Sequence, residues 1–122
     1  MKIREVVRVA TSISHAYQLG DEDLTAYIQE LSVSNDFYVM MESQNGLLLF
    51  SPEQESRVPL SLYFEETPKL KDLLLSSDGA PVSFKISTGF EKYKTLAYGS
   101  QILDADGNEA NLYIFSPLYP VS

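Results

Sequence analysis

The segment FYVMMESQNGLLLFSP, residues 37–52, constrains the fold more than any other part of the sequence. It holds two apolar runs, residues 37–43 and 47–51, on either side of Gln44-Asn45-Gly46. Asn45-Gly46 can supply the positive φ angles of a tight turn, and Pro52 has no N–H for a ladder, so the segment predicts a β-hairpin. Because both runs are almost continuously apolar, we expect both strands to be covered on their two faces and at least one to be central.

Two helices are predicted before this hairpin. Apolar residues recur with a helical period over residues 3–19, and Gly20 suits the position that ends such a helix. Asp21 is expected to cap a second helix. The spacing of its apolar residues predicts one buried stripe, made of Leu24, Tyr27, Ile28 and Leu31.

The first helix also carries a short heptad pattern. Five of its residues follow the a/d spacing: Ile3, Val6, Ala10, Ile13 and Tyr17. This is less than the three to four heptads that indicate a coiled coil. The stripe therefore either packs on a sheet or also pairs with its twin in a homodimer. The dimer hypothesis predicts that Ile13→Asp weakens dimerisation without unfolding the domain.

The connection after the hairpin is the least regular part of the sequence. Residues 53–66 mix prolines with polar and apolar residues and are predicted to form a loop with at most one short turn. Thr67-Pro68 then predicts a helix start, with threonine as the cap and proline as the first helical residue. The expected helix ends at Asp78-Gly79, and its apolar face comprises Leu70, Leu73 and Leu74.

Three more strands are predicted at residues 82–87, 93–103 and 112–118, with a turn at residues 104–108. The element order is helix, helix, strand, strand, helix, strand, strand, strand. This order predicts an α+β domain, in which helices pack on a five-stranded antiparallel sheet. The long connection after the hairpin lets the last strand lie beside the first, which predicts the strand order 2-1-5-4-3.

Composition narrows the classes of function. The 122 residues carry a net charge of −8, which argues against binding nucleic acid, whose phosphates require a basic face. The absence of cysteine excludes disulfides, thiol catalysis and cysteine-ligated zinc. There is no apolar run near 18 residues long and no sustained apolar stretch in MKIREVVRVA, so we expect neither a membrane span nor a signal peptide within these residues.

The element order and three segments resemble a known family. The segments are REVVRVATSISHAY, FYVMMESQNGLLLFSP and TLAYGSQILDADGNEANLYIFSPL. They resemble the extracytoplasmic PAS-like sensor domains, also called PDC or single Cache domains, of bacterial membrane histidine kinases in two-component systems. The resemblance implies that residues 1–122 are one sensor domain from a multi-pass membrane protein. It also implies that the first helix and the last strand each continue into a membrane helix, and that the kinase activity lies elsewhere.

The sequence offers little catalytic chemistry. Its one histidine, His15, lies off the main stripe of the first helix, and neither a nucleophile elbow nor a phosphate-binding loop is present. The segment DADGNE, residues 104–109, departs from the EF-hand pattern and is better explained as a turn. We therefore expect no catalytic residue, no metal and no cofactor.

The resemblance implies a ligand cleft between the sheet and a crossing segment, residues 57–75. Arg57 and Lys85 could hold a carboxylate or phosphate, although strand alternation directs Lys85 towards water. Some domains of this class bind no small molecule, and eight tyrosines and six phenylalanines could fill the pocket here. The polar residues that could reach a ligand are Tyr38, Arg57, Tyr63, Lys85, Lys94 and Tyr98.

The leading hypothesis is an extracytoplasmic sensor domain whose stimulus is an unknown small molecule, ion or protein. The alternative is a soluble cytosolic module of PAS-like or profilin-like shape that binds a ligand or a partner protein. A small hydrolase or isomerase is a third possibility, but no set of acid and base residues supports it.

Overall fold

The computed structural model describes residues 2–52, 60–87 and 94–118. Helices and strands follow one another in the predicted order, which confirms the α+β class. The elements are α1 (Lys2–Leu19), α2 (Leu24–Asn35), β1 (Tyr38–Ser43), β2 (Gly46–Phe50), α3 (Leu60–Ser76), β3 (Val82–Ser87), β4 (Lys94–Leu103) and β5 (Glu109–Pro117).

The strands form one antiparallel sheet in the order β2-β1-β5-β4-β3, as predicted. The strand β5 lies in the middle, paired with β1 on one side and with β4 on the other. In the chain α3 lies between β2 and β3, and the three strands after it fold back as a meander that places β5 beside β1. The edges of the sheet are β2 and β3.

The β1–β2 hairpin closes more tightly than the sequence indicated. Ser43 pairs with Gly46, so the loop consists of Gln44 and Asn45 alone. Gly46 adopts φ +117°, whereas Asn45 is not in the positive-φ region. The prediction that Asn45-Gly46 together supply positive φ angles is therefore correct for the glycine only. The backbone N–H of Asn45 instead donates a 3.2 Å hydrogen bond to the Ser43 hydroxyl.

The two hairpin strands differ in burial. Residues 38–41 of β1 are buried, because β1 has a strand on each side and helices over both faces. The edge strand β2 exposes Leu47, Leu48 and Leu49, and only Phe50 is buried. The prediction that both strands are covered is therefore wrong for β2.

The region before α2 differs slightly from the prediction. Gly20 ends α1 with φ +71°, as expected for glycine at this position. Asp21 does not cap α2 directly, because α2 begins at Leu24 and Asp23 occupies the cap position. The Asp21 carboxylate accepts a 2.9 Å hydrogen bond from the backbone N–H of Asp23, so it orders the turn before the helix.

The helix α3 starts earlier than predicted. It begins at Leu60, so the part of the expected loop from residue 60 to 66 is helical, and residues 53–59 lie outside the described residues. Pro68 lies inside the helix and not at its first position. The helix persists because one buried stripe, made of Tyr63, Thr67, Leu70 and Leu74, anchors it on the sheet across the proline. Leu73, expected on this face, is exposed.

The sheet separates two apolar cores. The helices α1 and α2 cover one face, where Val6, Ile13 and Ile28 pack against strand residues such as Val39 and Ile114. The helix α3 covers the other face and packs on a second cluster, which includes Met40, Tyr63, Leu70, Tyr113 and Phe115. No helix within the described ranges is long and apolar enough to cross a membrane.

Candidate functional site

A cleft of about 570 Å³ opens between the C-terminal half of α3 and the adjoining ends of β1, β4 and β5. It lies on the α3 side of the sheet, and Leu74 and Leu75 of α3 form part of its wall. Its lining combines apolar side chains with polar ones, which include Glu42, Lys71, Asp78, Gln101, Glu109 and Asn111.

Glu42 is the centre of the hydrogen-bond network in this cleft. Its Oε1 accepts a 2.9 Å hydrogen bond from the Tyr113 hydroxyl and a 3.3 Å hydrogen bond from the Asn111 amide. Glu42 and Asn111 are directly opposite each other in the β1–β5 ladder, and Tyr113 is the diagonal neighbour. The two donors therefore come from one face of a single strand, which holds the carboxylate in a defined position.

The network shifts the pKa values of both ionisable partners. Partial burial opposes ionisation of Glu42, but the hydrogen bonds from Tyr113 and Asn111 and the nearby Lys71 outweigh it and lower its pKa. Burial raises the pKa of Tyr113, and its hydrogen bond to the Glu42 carboxylate raises it further. Glu42 is therefore ionised and Tyr113 is a neutral donor at neutral pH.

Lys71 connects α3 to this network. Its ammonium group lies 3.6 Å from Oε1 of Glu42, and about half of its side chain is exposed. Ion pairs this exposed typically contribute no more than about 1 kcal/mol. The contact is therefore a weak link between α3 and β1, and a charged ligand could replace it.

The opposite wall of the cleft is formed by β4, β5 and the end of α3. Gln101 donates a 3.1 Å hydrogen bond to the Glu109 carboxylate. Gly79, with φ +85°, follows α3 closely, and a Cβ atom at this position would lie 2.5 Å from Oε1 of Gln101. Only glycine therefore allows the chain to pass this side chain without displacing it.

The structure brings two of the predicted ligand residues together. Tyr38 and Tyr63 lie in the core under α3, with ring centroids 4.8 Å apart. Tyr63 also stacks on Phe115 at 4.7 Å and has no exposed surface. These rings fill the space between α3 and the sheet, and none of them lines the cleft.

The other predicted ligand residues lie elsewhere. Tyr98 belongs to the core under α1, on the opposite face of the sheet from Tyr38 and Tyr63. Lys85 and Lys94 are exposed, Lys85 on the edge strand β3 and Lys94 at the start of β4. Arg57 lies outside the described residues.

The heptad stripe of α1 faces the sheet within the single chain. Val6, Ala10 and Ile13 are buried in the core, and Ile3 and Tyr17 pack against it with partial exposure. The three central residues of the stripe are therefore occupied by contacts inside the domain. His15 is exposed on another side of α1.

Sequence reasoning missed the Glu42 network. The available signal was a single charged residue in an apolar strand, since Glu42 is the first charged residue after Asp36. A half-buried carboxylate needs hydrogen-bond donors, but only the β1–β5 register shows that Asn111 and Tyr113 provide them.

The described residues contain no group of three or more histidine, aspartate or glutamate side chains that could hold a metal ion. In the turn after β4, the Asp104 carboxylate accepts hydrogen bonds from the backbone N–H groups of Asp106 and Asn108, at 2.9 and 2.8 Å. These bonds are typical of a tight turn that begins with aspartate. The expected turn chemistry of residues 104–108 is thus confirmed.

Two solved structures share this architecture. The sensor domain of the zinc-responsive histidine kinase CzcS from Pseudomonas aeruginosa matches with a TM-score of 0.51 and 17% identity, over 94% of each chain. A C-terminal domain from Streptococcus mutans matches with a TM-score of 0.52 and 10% identity, over 79% of this chain and 86% of that one. No protein-family model and no curated protein sequence matches the chain.

At these identities the likeness concerns the fold. The chain has the fold of a histidine-kinase sensor domain, with a PAS-like five-stranded antiparallel sheet behind an N-terminal helix. The resemblance found in the sequence is confirmed at this level.

Proposed function

We propose that this chain is the extracytoplasmic sensor domain of a membrane-bound histidine kinase of a two-component system. The observation that carries the proposal is the match to the CzcS sensor domain over 94% of both chains. In this proposal the domain is not itself an enzyme, and the kinase activity belongs to another part of the parent protein.

The arrangement of α3 suggests how a stimulus acts. The N-terminal part of α3 is anchored by Tyr63, whereas its C-terminal part borders the open cleft and contacts β1 through Lys71 and Glu42. A ligand or partner that engages Glu42 or Lys71 would release this contact and shift α3. Because β1 pairs with β5, a change at Glu42 acts directly on the last strand.

The proposed output elements are α1 and β5. They pack on each other through the core that contains Val6, Ile13 and Ile114. If each continues into a membrane helix, a small shift between them changes the relative position of the two membrane helices. A stimulus that binds one arrangement better than the other would then shift the kinase between two states.

The zinc response of CzcS is not part of this proposal. The described residues provide no convergent set of metal ligands, and the cleft combines carboxylates with Lys71 and amides. This lining suits a polar organic molecule or a protein side chain as the stimulus.

The parent protein is also proposed to be a homodimer that is joined through its N-terminal helix and the preceding membrane segment. In that case a second copy would contact the exposed side of α1, which includes Val7 and Thr11, and not the buried stripe. Cysteine cross-linking at Thr11 in the intact parent would detect such a contact. An absence of cross-links at several exposed positions of α1 would contradict it.

Membrane sidedness provides the direct test of the proposed location. The chain contains no cysteine, so Ser83→Cys on the exposed side of β3 introduces a single thiol into this domain. In intact cells that carry the full parent protein, a membrane-impermeant maleimide should label this thiol. The matched control is Ala97→Cys, which is buried and should react only after denaturation.

Labelling of Ser83→Cys only after cell lysis would place the domain in the cytosol. That result would contradict the sensor proposal and favour the soluble PAS-like or profilin-like module.

A further inference from the structure

The outer edge of β2 is apolar, and no other strand of the described residues pairs with it. Leu47, Leu48 and Leu49 are 44%, 52% and 37% exposed, and β2 pairs only with β1 within the described part of the chain. Sheet edges of monomeric proteins usually carry lysine, proline or a bulge, which prevent pairing with another strand. The strand Gly46–Phe50 contains no charged residue and no proline, and it pairs with β1 in an unbroken register.

A groove of about 610 Å³ runs beside this edge, between β2 and α2. Leu48 and Phe50 form its strand wall, and Ala26 and Gln29 lie on its helix wall. The Gln29 side chain donates a 2.7 Å hydrogen bond to the carbonyl of Ser51, which ties α2 to the end of β2 and sets the width of the groove. An added strand would direct every second side chain into it.

The charge at the end of the groove indicates what kind of strand fits. Glu22 and Asp23 lie at one end of the groove, and none of the described residues that line it is basic. Both acids are exposed, and neither forms an ion pair in the described part of the chain. A strand that carries lysine or arginine near one end would place a positive charge beside them.

We propose that the edge of β2 binds an extended segment of a partner protein, with apolar residues at alternate positions and a lysine or arginine that reaches Glu22 and Asp23. The backbone of the segment would extend the sheet, and its apolar side chains would enter the α2–β2 groove. This site goes beyond the sensor proposal, because it lies at the opposite edge of β1 from β5 and does not use the Glu42 cleft.

A second copy of the chain fits this edge less well. The chain carries a net charge of −8, and a symmetric β2–β2 contact would bring the acidic groove of one copy towards that of the other. The negative charges that repel a second copy of the chain would instead attract a basic partner segment.

The test uses the full chain and three short synthetic peptides. The first alternates valine and threonine and has a lysine at each end, and its twin has glutamates in place of the lysines. The third is the lysine peptide with an N-methyl group on every amide between the lysines, which blocks strand pairing through either edge. Binding is followed by amide NMR shifts and calorimetry.

The lysine peptide should shift the amides of β2 and α2, and the glutamate twin should bind about tenfold more weakly. Affinity for the lysine peptide should fall as salt rises, because the charges are exposed. N-methylation and Leu48→Asn should each abolish binding, whereas the matched change Leu103→Asn, at a leucine 44% exposed at the end of β4, should not. Combined Glu22→Gln and Asp23→Asn changes should remove the preference for lysine.

Three outcomes would overturn the proposal. The first is no binding of the lysine peptide, and the second is equal binding of the lysine and glutamate peptides. The third is a dimer in sedimentation experiments that Leu48→Asn dissociates, which would assign the edge to a second copy of the chain.

Discussion

The Tyr113 hydroxyl donates a 2.9 Å hydrogen bond to the Glu42 carboxylate, across the ladder that joins β5 to β1. Tyr113 belongs to the core under α3, and Glu42 lines the cleft. The bond therefore couples the packing of the core to the charge in the cleft.

Removing this hydroxyl should destabilise the domain. Hydrogen bonds to charged groups contribute about 1.5–3 kcal/mol, and the exposure of Glu42 places Tyr113→Phe near the lower end. Urea unfolding measures the effect. The matched control is Tyr27→Phe, whose hydroxyl makes no hydrogen bond in the described part of the chain and which should change stability by less than about 0.5 kcal/mol. Equal effects of the two changes would show that the Glu42 contact contributes nothing.

Glu42 should make stability depend on pH at the acidic end. Its pKa is lower in the folded chain than in the unfolded chain. The ionised carboxylate therefore stabilises the fold above the ordinary glutamate pKa of about 4.3, and this contribution is lost as the pH falls through the lower folded-state value. Glu42→Gln should lose less stability than the unmodified chain over this interval.

The measurement is the free energy of unfolding in urea, at neutral pH and at about pH 3, for Glu42→Gln and the unmodified chain. The contributions of the other carboxylates are the same in both proteins and cancel when the two pH-dependent changes are subtracted. The control is Glu65→Gln, at an exposed glutamate of α3, which should follow the unmodified chain. A Glu42→Gln protein with the same acid sensitivity as the unmodified chain would contradict the pKa shift.

Ile13→Asp should prevent folding, and not merely weaken association. Ile13 has no exposed surface, and an unpaired carboxylate there would cost several kcal/mol. Val7→Asp, on the same helix at a residue 42% exposed, is the matched control and should fold normally. Circular dichroism and thermal melting distinguish the two variants. A folded Ile13→Asp monomer derived from a dimeric parent domain would restore the original dimer hypothesis for the stripe.

Gly79 and Gly107 provide a paired test of the cleft wall. Both have positive φ angles, +85° and +83°, so alanine at either should cost about 1 kcal/mol of backbone strain. Only Gly79 faces Gln101, whereas Gly107 has open space around it. Gly79→Ala should therefore be the more destabilising change in urea unfolding, by a small margin, because it displaces the exposed end of Gln101 from its hydrogen bond to Glu109. In a Gln101→Ala background, the difference between the two should disappear.

The overall topology was predictable because its signals are local. Helical periodicity, strand alternation and turn residues indicated α1, the hairpin, β3 and the turn at residues 104–108 without reference to the rest of the chain. The strand order followed from the length of one connection. The structure confirms these predictions, including the order 2-1-5-4-3.

The start of α3 could not be found in this way. Thr67-Pro68 has the local signature of a helix start, but the buried stripe of Tyr63, Thr67, Leu70 and Leu74 extends the helix through it. The packing of this stripe on the sheet outweighs the hydrogen bond that the helix loses at Pro68. Because that packing depends on the position of the sheet, the local sequence does not reveal it.

The amino-acid sequence by itself determined the order of helices and strands and the order of strands in the sheet, but not where α3 begins, because periodicity and turn chemistry act over a few residues. Only the tertiary structure decided that Glu42 meets Tyr113, that the α1 stripe faces inward and that β2 leaves its leucines exposed. These relationships join residues far apart in the chain. They depend on strand register and on which element covers each face, neither of which a local pattern contains.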